Sequence, residues 1–100
     1  MKPVVLHARA EEELRDALAW YEERRAGLGG ELRRAVEEAL QRIARNPQAY
    51  ALEQDPGIRF CPLRRFPYAI VFVERETDIW VAAVAHQSRH PRYWASRRPS

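Results

Sequence analysis

The segment YAIVFVERETDIWVAAVA, residues 68–85, decides the fold. Tyr68 to Glu74 and Ile79 to Ala85 are rich in aromatic and β-branched residues, the composition of strands. The charged stretch Arg75–Asp78 between them is short enough to close a hairpin. At their centres both runs are apolar on successive residues and not only on alternate ones. Such strands bury both faces, so the pair belongs in the middle of a sheet. Upstream, Ile58 to Leu63 reads as a third strand. Pro62 interrupts it, which predicts a bulge or an edge position, because proline donates nothing to a ladder.

Ahead of these strands the period changes. From Glu11, the residues Leu14, Ala17, Leu18 and Tyr21 fall on one helical stripe. Glu11, Glu12 and Glu13 suit the start of that helix and Arg24 and Arg25 its end, by the sign of the helix dipole. Gly27, Gly29 and Gly30 break the pattern. Leu32, Val36, Ala39, Leu40 and Ile43 then mark a second helix, which Asn46-Pro47 stops. The short glycine link makes the two helices an antiparallel hairpin. Val4, Val5 and Leu6 form a short leading strand, while Asp55-Pro56-Gly57 marks a turn in the loop Gln48 to Gly57. The expected fold is α+β: an N-terminal strand, a two-helix antiparallel hairpin, then a mainly antiparallel sheet of three further strands. One hundred residues allow one domain, 1–100, with helices on one sheet face. The other face and the tail Gln87 to Ser100 are left for a partner.

Composition narrows the function. The chain carries 17 Lys and Arg against 14 Asp and Glu, a net charge of +3, and Lys2 is its only lysine. Arginine keeps its charge and forks onto phosphate or carboxylate, so anionic partners are expected. The single cysteine, Cys61, makes no internal disulfide and reads as a buried structural thiol. The longest apolar run is too short to cross a bilayer, and together with the lone thiol this predicts a cytoplasmic protein with no membrane role. There is no glycine-rich phosphate loop and no paired Cys/His spacing. His86 and His90 stand four apart, but Pro91 ends any helix there. No metal and no cofactor are expected.

The residues that stand out for chemistry are Arg59, Arg64, Arg65, His86 and Arg89, with Tyr93, Trp94 and Arg97 closing the chain. Cations interleaved with aromatics suit phosphate and base contacts. Tryptophan more often buries its surface, and on that reading Trp94 packs a flap over the sheet edge.

The ordered set Trp20-Tyr21-Glu22, Gly27-Leu28-Gly29, Ile43 through Asn46-Pro47, Arg59, Arg65-Phe66-Pro67-Tyr68 and the closing His86, Arg89, Pro91, Tyr93-Trp94 and Arg97 resembles the RelE/ParE superfamily of bacterial toxins from type II toxin–antitoxin pairs. The resemblance spans nearly the whole chain and is closer to the ParE side. It implies the same helical hairpin on a twisted sheet. It also implies a cognate antitoxin bound in a hetero-oligomer, and one of two actions. A ParE-like protein binds DNA gyrase and cuts nothing. A RelE-like protein cuts messenger RNA on the ribosome, which needs a base for the 2′-OH, cations for the phosphate and an acid for the leaving oxygen. By type, His86, Arg59, Arg65, Arg89 and Tyr93 match the catalytic set of such a ribonuclease. The sheet lysines of that branch are absent, which favours gyrase. A third reading is a partner-binding module without toxicity.

Overall fold

A computed structural model describes residues 1–52 and 57–99. Its elements are β1 (Val4–Leu6), α1 (Ala8–Arg24), α2 (Leu28–Arg45), a 3₁₀ turn (Pro47–Ala49), β2 (Ile58–Pro62), β3 (Tyr68–Glu74) and β4 (Ile79–His86). The four strands form one sheet in the order β1-β4-β3-β2. As the apolar runs predict, β3 and β4 are central and antiparallel, and β2 is an edge strand ending at Pro62. β1 lies parallel to β4 on the opposite edge, so the sheet is mixed. The β3–β4 turn is closed by the Arg75 N–H donating to the Asp78 carbonyl at 2.8 Å. The Arg75 guanidinium adds two bonds to the Asp78 carboxylate, at 2.6 and 2.5 Å.

The helices cover one face. Leu32, Val36, Ala39 and Ile43 of α2 and Ala10 and Ala17 of α1 bury against Ile70, Phe72, Ile79, Val81 and Val84. Full burial of each large side chain here is worth about 1.5–3 kcal/mol. Cys61 is buried in the same layer as a free thiol.

Three boundaries differ from the sequence reading. α1 begins at Ala8 rather than Glu11, because His7 caps it: the His7 Nδ1 accepts from the Arg9 N–H at 3.0 Å. Gly29 and Gly30 belong to α2 and do not break it. Only Gly27 turns the chain, at φ +90°. Gly29 is needed for close approach, since a Cβ there would sit 2.7 Å from the Leu18 carbonyl oxygen of α1. β4 runs one residue further than expected, so His86 is a strand residue paired with Tyr68 and does not follow the strand. Asp55 and Pro56 of the expected turn lie outside the described residues. Gly57 has φ +88°, the conformation that favours glycine.

The bulge also stands elsewhere. The β2–β3 pairing runs without a break through Pro62. On β4, Val71 pairs with Ala83 but Phe72 with Val81, so Ala82 is an extra residue. The bulge inverts the alternation of β4. Before it, Ile79 and Val81 face the helices and Trp80 faces away. After it, Val84 and His86 face the helices.

The second sheet face is not vacant, contrary to expectation. The C-terminal segment folds back across it. Trp94, 3% exposed, joins Val71, Trp80, Ala82 and Ala83 in a second apolar cluster and meets Phe60 edge-on at 5.7 Å. A single tryptophan buries some 200 Å² or more, enough to hold a short segment down.

Candidate functional site

The bulge places His86 in a cleft of about 380 Å³ between α1 and the end of β4, with Asp16, Trp20, Tyr21, Tyr68 and Arg89 along its walls. His86 meets Tyr68 edge-on at 4.9 Å between ring centroids. Tyr68 in turn packs edge-on against Tyr21 at 6.3 Å. Burial raises the Tyr68 phenol above its ordinary range, and the neighbouring Tyr21 adds to this. The Nδ1 of His86 accepts from the Ser88 N–H at 3.0 Å and lies 2.8 Å from the Ser88 hydroxyl. With Nδ1 accepting, the ring proton resides on Nε2. Trp20 is 49% exposed, with the Arg24 guanidinium over its ring at 3.8 Å.

Tyr93 forms the floor of the cleft, and its hydroxyl is committed. It donates to the Glu13 carboxylate at 2.6 Å. Burial, then the bond to Glu13, raises its pKa far above the ordinary phenol range. Arg89 stacks over the Tyr93 ring at 3.9 Å. Arg97 binds the same Glu13 through two nitrogens, at 3.1 and 2.9 Å, and donates to the Ala82 carbonyl at 2.8 Å. Glu13 also accepts from the Val84 N–H at 3.0 Å. β1 ends at Leu6, so among the described residues no strand lies beside this edge of β4 beyond Val81. Glu13 and Arg97 take the place of one: the carboxylate accepts from Val84 and the guanidinium donates to Ala82, as a neighbouring backbone would.

The five residues singled out for catalysis therefore divide. His86, Arg89 and Tyr93 come together. Arg59 does not. It lies on β2 in register with Phe72, which pairs with Val81, about 15 Å along the strands from His86. Its guanidinium donates to the Tyr50 carbonyl at 2.7 Å and to the Gln48 carbonyl at 3.4 Å, pinning the loop after α2. Arg65 is bound to Glu31 at the start of α2, and this pairing holds the Glu31 carboxyl below its ordinary range. Sequence reasoning missed Glu13. Its signal was its place four residues before Ala17 and eight before Tyr21, on the flank of the buried stripe. Among the described residues no group of His, Cys, Asp and Glu is arranged to hold a metal ion, and no helix is long and apolar enough to cross a membrane.

Comparison with known proteins agrees with the fold. The model of a family described as the ParE toxin of type II toxin–antitoxin system, parDE, matches residues 4–91. A solved structure described as the chromosomal ParDE TA system from P. aeruginosa superposes with a TM-score of 0.74 at 16% identity. The match covers 86% of this chain and 96% of that chain. No curated protein is a significant match by sequence.

Proposed function

The chain belongs to the ParE toxin family of type II toxin–antitoxin systems, and from that premise we propose that it arrests growth by binding DNA gyrase and not by cutting RNA, with a cognate antitoxin to silence it. The observation that carries this reading is the commitment of the Tyr93 hydroxyl to Glu13. A phenol already donating to a carboxylate, with its pKa driven upward, serves neither as base nor as ready acid. The remaining pieces of a nuclease are scattered. Arg59 and Arg65 are engaged elsewhere, and the wall of the His86 cleft carries Asp16, which repels a phosphodiester, beside a Glu13 already paired with Arg97. What the cleft offers instead is a partly exposed aromatic surface, Trp20 and Tyr21 beside Tyr68 and Arg89, the residue types that anchor protein interfaces.

Two assays on the purified protein separate the readings. In a DNA supercoiling assay with gyrase, the protein is expected to inhibit. In a translating extract, message is expected to stay intact when its 5′ ends are mapped. The opposite pattern, new ends within A-site codons, restores the ribonuclease reading if His86→Gln lowers cleavage by about two to four orders of magnitude.

A further inference from the structure

A second cleft, of about 400 Å³, lies between the start of α1 and the C-terminal segment. His7, Arg9, Arg89, Ser96, Arg97 and Arg98 line it around the edge of Tyr93, and among the described residues no carboxylate does. The other charged clefts differ. The groove along α2 alternates Glu31 and Glu38 with its arginines, and the His86 cleft contains Glu13 and Asp16. We propose that this cationic cleft is a phosphate site that grips the backbone of duplex DNA.

Three features support it. First, Arg97 is paired with Glu13, but the other three charges are not neutralised. Among the described residues, no ion pair involves Arg9, Arg89 or Arg98. Arg89 is nevertheless fixed by stacking on Tyr93, and Arg98 by donating to the Ala95 and Arg97 carbonyls at 3.0 Å each. Guanidiniums positioned in advance without an anion cost little entropy when one arrives. Second, the cleft lacks an apolar seat. An acidic peptide docks by burying side chains as well as by charge, whereas a phosphodiester asks only for cations and donors. Third, it lacks a stacking platform. Arg89 and Arg97 lie over the Tyr93 ring at 3.9 and 5.1 Å, and the ring packs against the Trp94 cluster. Single strands are held by stacking bases on free aromatic faces, so a paired duplex, contacted through its backbone, fits better. Part of the site, Ser96, Arg97 and Arg98, lies beyond the residues that the family model matches. The inference rests on the gyrase reading for its consequence only: the toxin touches the DNA segment that the enzyme holds.

The test is fluorescence anisotropy of the full chain with a short labelled duplex, titrated from about 50 to 200 mM salt. Binding is expected to weaken steeply with salt. The double variant Arg9→Ala/Arg98→Ala should bind roughly tenfold more weakly and lose about 1 to 2 from the salt slope. Both side chains are exposed, so the variant should fold, which circular dichroism checks. Arg33→Ala, on the exposed face of α2, should bind as the parent does. An absence of binding at low salt, or equal loss in the Arg33 and double variants, overturns the proposal. So does tighter binding of a labelled glutamate-rich peptide that the double variant abolishes, which makes the cleft a site for acidic protein. Gyrase inhibition by a protein that does not bind duplex refutes the DNA site alone. Duplex binding without gyrase inhibition refutes the gyrase reading alone.

Discussion

Replacing Glu13 by alanine tests whether an ion pair substitutes for a missing strand. The Glu13 and Arg97 side chains are 15% and 9% exposed, and the carboxylate accepts four bonds in all. Bonds to a charged group contribute about 1.5–3 kcal/mol each, but these four share one acceptor and do not add. Breaking a buried pair on one side costs about 3–5 kcal/mol, since the remaining charge has no partner. Arg97 keeps its bond to the Ala82 carbonyl, and Tyr93 is only half-buried, so the low end applies, about 3 kcal/mol. For a domain of this size that lowers the melting temperature by about 10–20 °C. Urea unfolding measures the energy, and amide exchange at Val84 reports the mechanism, because that N–H has Glu13 as its acceptor. Glu13→Ala/Arg97→Met should cost less than the two single changes summed, because no lone charge remains. A loss below about 0.5 kcal/mol, or unchanged protection at Val84, refutes the argument.

Neighbouring glycines should respond with opposite signs. Gly29→Ala drives a methyl into the Leu18 carbonyl at 2.7 Å and the Glu22 side chain at 3.0 Å, and should cost about 1–3 kcal/mol, less whatever helix propensity returns. Gly30→Ala meets nothing closer than Arg34 at 3.9 Å and should stabilise by about 0.4–1 kcal/mol; thermal melts compare the two. The hydrogen bonds from Arg75 hold the Asp78 carboxyl below its ordinary value, so its contribution is complete above about pH 4 and is lost as pH falls through the depressed folded value. Asp78→Asn should therefore flatten part of the acid limb of the urea midpoint measured against pH.

The central hairpin and the two helices are legible in the sequence because each rests on a period that repeats several times. Ile70 to Val73 and Ile79 to Val84 cannot be edge strands without exposing one face, and Leu32, Val36, Ala39 and Ile43 cannot share a face except on a helix. β1 gives no such purchase. Three residues show that a strand exists but not which way it runs beside β4. The C-terminal segment has no period at all, and its place on the sheet is set by one side chain, Trp94. The pairings of Arg59 and Arg65 were equally out of reach, because they depend on carbonyls and a carboxylate, at Tyr50 and Glu31, that only the tertiary fold brings near.

The bulge explains why the site was only half visible. Val81-Ala82-Ala83-Val84 is apolar throughout, so an alternation that inverts inside it leaves no trace in hydropathy. Yet the inversion decides which face receives His86. If these same eight residues paired without a bulge, strict alternation would point His86 into the layer of Trp80 and Trp94, away from Tyr21 and Tyr68. The change of parity also turns the Ala82 carbonyl and the Val84 N–H toward the edge that β1 leaves open, where Glu13 and Arg97 meet them. The bulge thus reconciles the parity of this sequence with a helix-side His86, and its extra residue supplies the carbonyl that Arg97 takes in the anchor around Tyr93. Deleting Ala82 places Ala83 directly after Val81, so the ladder becomes regular while Val84 and His86 keep the helix side. The His86 cleft and the Val84 bond to Glu13 should persist and only the Arg97 bond to the Ala82 carbonyl is lost, an outcome that amide exchange along β3 and β4 resolves strand by strand. Loss of protection at Val84 or a shifted His86 ring resonance in the deletion variant would show that the clefts need the bulge itself and not only the parity it sets.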